Sequence, residues 1–74
     1  MTQNEVIRLV RKNSQGTSIE ILGTANIGTQ LVSIRFKGEN SKEEMSNILE
    51  RARLLNNDIK LLKDSTYNVY VKLL

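Results

Sequence analysis

Glu43 and Glu44 stand side by side in the chain, and paired carboxylates are common tools of general acid–base chemistry. Their spacing defeats that use. In the helical pattern around them, adjacent side chains point about 100° apart, so the two cannot share a proton or a substrate. Glu44 has a simpler role, because Ser41 three residues earlier completes the form of a capping box. The stretch from Gly23 to Gln30 carries two glycines, Gly23 and Gly28, at the spacing of a phosphate loop. Thr29 and Gln30 replace the lysine and hydroxyl residue that should follow, and a strand pattern comes where a helix is required. The stretch reads as a connecting loop.

The chain has no cysteine and no histidine, so disulfides, thiolate chemistry and the usual zinc ligand sets are absent. A metal site would have to be built from oxygen ligands alone. No nucleophile–base pair assembles with any specificity. The expectation is a protein that is not an enzyme and has no cofactor and no metal site. What chemistry remains is that of contact: 11 Lys and Arg against 8 Asp and Glu, for a net charge of +3. That excess is too small by itself to assign a polyanionic partner, so its placement on the fold decides its meaning.

The elements that would position those charges follow from periodicity. Residues 5 to 12 are β-branched and roughly alternating, which predicts a strand, and 13 to 17 have turn chemistry. Ser18 to Leu22 predicts a second strand, paired so that Leu9 lies opposite Ile21. Val32, Ile34 and Phe36 alternate with Ser33, Arg35 and Lys37 in a third, Gln30 to Lys37. Ser41 to Asn57 predicts a helix. Met45, Ile48, Leu49, Ala52 and Leu55 make its apolar stripe, Leu54 can widen it, and Asn56-Asn57 supplies a left-handed stop. Asp58 to Lys63 and Tyr67 to Leu74 predict a closing hairpin with Leu61 opposite Val69 and Ile59 opposite Val71. No internal repeat is visible.

One domain of 74 residues is therefore expected, near the lower limit for a self-sufficient core. Its fold class is α+β: a small, mostly antiparallel sheet of about five strands in the order β-β-β-α-β-β, with one helix packed on one face. The predicted inner set is Ile7, Leu9, Ile19, Ile21, Val32, Ile34, Phe36, Ile59, Leu61, Tyr67, Val69, Val71 and Leu73. The opposite face then mixes cations with aliphatics, and Arg8, Val10, Leu31, Arg35, Lys37, Lys60, Tyr70 and Lys72 are its candidate partner-binding residues. Such a mixture suits a protein partner with an acidic surface, or a second copy in a homodimer. Nucleic acid is the alternative for the same face, ranked lower because Tyr70 is its one aromatic and offers no stacking platform. The N-terminus lacks the apolar run of a signal peptide, and the uncharged run from Ile21 to Ile34 is too polar to span a bilayer. A cytoplasmic binding protein of inhibitor or adaptor type, away from membranes, is the expectation.

Overall fold

A computed structural model describes residues 1–73, in the order α1 (Gln3–Ser14), β1 (Glu20–Ile27), β2 (Leu31–Lys37), α2 (Ser41–Arg51), β3 (Asn57–Lys63) and β4 (Thr66–Lys72). The fold is α+β with an antiparallel sheet. It has four strands and two helices, where the sequence pattern predicts five strands and one helix. Leu74, expected to end the last strand, lies outside the described residues.

The difference begins at the N-terminus. Residues 5 to 12 are helical because two local signals outweigh their β-branched composition. The Glu5 N–H donates to Thr2 Oγ1 at 3.2 Å while the Thr2 N–H donates to Glu5 Oε1 at 2.9 Å, a complete capping box. Val6 and Val10, four residues apart, then fall on one side of α1 and are buried in the core. Strand propensity reflects fit to a half-buried pleated surface, and burial on a helix face overrides it here.

Neighbouring strands pair antiparallel in the order β1-β2-β4-β3. Both helices bring their apolar sides to one face of this sheet. Val32, Ile34 and Phe36 of β2 and Val69 and Val71 of β4 meet Val6 and Val10 of α1 and Met45, Ile48 and Leu49 of α2 in a single cluster. Ile19 joins it, and Ile7, Ile21, Ile59, Tyr67 and Leu73 pack at its margin. Phe36 and Tyr67 stack with centroids 5.8 Å apart. Leu9 stays outside the cluster and Leu61 is exposed, against expectation.

The chain also contains a repeat that its sequence hides. Thr24 faces Ile34 in the first hairpin, Ile59 faces Val69 in the second, and Ile34 faces Val69 where the hairpins join. The molecule is thus two αββ halves about an approximate two-fold through the Ile34–Val69 pair. Ser33 and Asn68, equivalent positions 35 residues apart, touch across that axis.

Helix α2 starts and stops by other means than its sequence suggests. Asn40, in a left-handed conformation, precedes it without a side-chain cap, and the expected Ser41–Glu44 box does not form. Glu44 instead accepts from the Ser18 N–H and hydroxyl, tying the segment before β1 to the first turn of α2. At the other end Arg53, with φ +59°, takes the left-handed position expected of Asn56 or Asn57. The Leu54 N–H donates to Leu49 O at 2.8 Å and the Arg53 N–H to Glu50 O at 3.0 Å, the two bonds of a Schellman motif. That closure turns Leu54 into the core and leaves Leu55 outside, so Leu54 replaces Leu55 at the end of the stripe.

The hairpins complete the correction. Asp64 and Ser65 both have positive φ and form a two-residue turn, so Lys63 faces Thr66. This turn, with a bulge between Leu61 and Lys63, puts Ile59 opposite Val69 and Leu61 opposite Tyr67. Strand β1 runs through the Gly-Thr-Ala-Asn stretch expected to be a loop, and the chain turns only at Gly28.

Candidate docking face

Because α1 and α2 share one face of the sheet, the other carries no element among the described residues. Alternation along paired strands sets its side chains out in rows. Ala25, Ser33, Tyr70 and Asp58 form one row, and Gly23, Arg35, Asn68 and Lys60 the next. Ile27, Leu31 and Lys72 lie at one end, Glu20 and Lys37 at the other. Six of the expected contact residues therefore share this surface: Leu31, Arg35, Lys37, Lys60, Tyr70 and Lys72. Arg8 and Val10 do not. Both belong to α1, where Arg8 is exposed on the helix side of the molecule and Val10 is 0% exposed in the core. Their misplacement follows directly from reading a helix as a strand.

The face is less basic than its sequence pattern implies. Asp58 joins Glu20 on it, and each carboxylate stands beside a lysine: Glu20–Lys37 at 3.7 Å and Asp58–Lys60 at 3.6 Å. These exposed pairs add little stability, but they mute the local field. Among the described residues neither Arg35 nor Lys72 has a carboxylate within ion-pair distance. Arg35, near the middle of the face, is its free guanidinium.

Its surroundings hold it in the open. Asn68, opposite Arg35 and only 5% exposed, donates from Nδ2 to Ser33 Oγ at 2.8 Å, so the polar floor beside Arg35 is already satisfied. On the other side stands Gly23, where no side chain shields the guanidinium. A shallow depression of about 230 Å³ lies here, lined by Gly23, Ala25, Ser33, Arg35 and Asn68 among others. Sequence alternation puts Ser33 and Asn68 on this face but carries no sign that they bond. Chemically, the surface offers a fork of donors for a carboxylate, the phenol of half-buried Tyr70, and an aliphatic corner at Ile27 and Leu31. Among the described residues no three acidic side chains stand close enough to hold a metal ion, and no helix is long and apolar enough to cross a membrane. No family model and no curated protein matches the chain.

Proposed function

We propose that this is a small non-catalytic binding protein, of inhibitor or adaptor type, that docks on a larger protein through the bare face of its sheet. The observation that carries the reading is the free Arg35 diagonal to Tyr70, with Leu31 and Ile27 at one end of the same surface, which no other element covers among the described residues. Arg, Tyr and aliphatic side chains together are the composition of interface centres, and Arg is the cation that recognises carboxylates bidentately. The fitting partner presents an acidic group within an apolar surround. Nucleic acid fits less well: two carboxylates share the face with its cations, and Tyr70 is its one aromatic. Self-association would use the edge of β1, whose residues from Ile21 to Ile27 carry no charge and no proline to repel another strand. Capture of partners from the native host with wild-type and Arg35→Glu protein tests the reading. It expects the specific partner to be lost from the variant.

A further inference from the structure

A second surface lies at the end of the molecule where the start of α1, the loop after α2 and the end of β4 converge. There a groove of about 550 Å³ has Val6 and Leu54 in its floor and Leu55 and Leu73 along its sides, with Met1 at its margin. That volume is in the range of small-ligand sites. Met1 and Leu55, two of the most exposed large apolar residues among those described, both line it. Arg53 and Lys72 also line it, and among the described residues no acidic side chain does. Neither cation has an acidic partner among the described residues. Arg53 moreover occupies the left-handed position after the helix, where glycine is the residue of least strain. The backbone carries a long cation at a place that would be easier without one.

We infer that this groove binds an aliphatic carboxylate, its chain along Val6, Leu54, Leu55 and Leu73 and its carboxylate on Arg53 and Lys72. The charge on the lining selects an anion, and the apolar floor selects an alkyl chain over a sugar or a phosphate ester. The site shares Lys72 with one end of the open sheet face but does not use Arg35, and it stands or falls without the docking proposed there.

Octanoate is the probe, titrated into ¹⁵N-labelled full chain while amide shifts are followed, with 1-octanol as the neutral comparison. The expected result is saturable movement of the Val6, Leu54, Leu55 and Leu73 amides, with a Kd of about 1 mM or tighter. Octanol binds at least tenfold more weakly. Arg53→Gly relaxes the left-handed backbone and so keeps the fold, yet weakens octanoate at least tenfold, while Arg53→Lys restores most of the binding. Equal binding of octanol, or of octanoate to Arg53→Gly, would overturn the inference by reducing the groove to a bare apolar cleft. So would absence of saturation, or groove shifts that follow protein concentration alone and mark a second copy.

Discussion

Leu54 and Leu55 are the same residue type at adjacent positions, and the account separates them sharply. Leu54 is 8% exposed and Leu55 71% exposed, because the Schellman closure at Arg53 turns the first toward Leu49 and the second outward. Leu54→Ala removes three buried carbons. At about 0.8 kcal/mol for each buried methylene, the lost transfer free energy is about 2.4 kcal/mol. The further penalty of an enclosed cavity is largely avoided, since Leu54 borders the open groove and the space merges with solvent. The change is therefore near the low end for core leucines. In a domain this small, about 2.4 kcal/mol lowers Tm by about 10–20 °C. Leu55→Ala should stay within about 0.5 kcal/mol of wild type. Thermal and urea unfolding followed by circular dichroism would measure both. Equal losses from the two variants, or a larger loss from Leu55→Ala, would refute the helix ending on which the core and the groove both depend.

Two further outcomes test the two halves of the fold. Thr2→Ala should remove the α1 cap at a loss of about 1 kcal/mol, measured by urea unfolding. The Thr2 backbone N–H, then its hydroxyl, hold the Glu5 carboxyl below its ordinary pKa. The share of the cap that depends on the Glu5 carboxylate is therefore complete above the unfolded glutamate pKa and lost as pH falls through the lower folded value, while the Glu5 N–H to Thr2 hydroxyl bond does not titrate. Hydrogen exchange of the α1 amides should show this acid loss, and Glu5→Gln, which can still close the box, should abolish its pH dependence. Gly38→Ala would place a Cβ 2.7 Å from Ser18 O, so Ser18 must move. A loss of about 1–3 kcal/mol in the same unfolding assay, with loosening of the Ser18–Glu44 contact, is expected.

The sequence displays some of these elements plainly and hides others for identifiable reasons. Strand β2 is legible because Val32, Ile34 and Phe36 alternate with polar residues and all three are buried. Helix α2 is legible from Met45, Ile48 and Leu49. Residues 5 to 12 satisfy both periods at once, and what decides between them, the Thr2–Glu5 box, is two residues that look unremarkable in a row. Arg53 is not a residue that advertises a left-handed turn, so the helix stop and the choice of Leu54 over Leu55 could not be read. The last hairpin differs in register by two from the sequence pattern, one residue from the tighter Asp64–Ser65 turn and one from the bulge between Leu61 and Lys63. The two-fold repeat is hard to see because only scattered equivalent positions, such as Ile34 and Val69, keep a common character, while others, such as Arg35 and Tyr70, do not. Six of the expected contact positions nonetheless land on the open face, since alternation along β2, β3 and β4 sets them there. Arg8 and Val10 lie elsewhere because the Thr2–Glu5 box makes their segment a helix, and the muting of charge by Asp58 emerges only from strand pairing.

The most direct test compares opposite sides of the molecule. Arg35→Glu and Arg8→Glu make the same charge change, one on the open sheet face and one on α1, and both side chains are exposed enough to leave the fold intact. Partners captured from the native host by the wild-type chain can be quantified against each variant by mass spectrometry. Loss of the specific partner from Arg35→Glu with retention by Arg8→Glu is the result the account predicts. Retention by Arg35→Glu, or loss from Arg8→Glu alone, would contradict it.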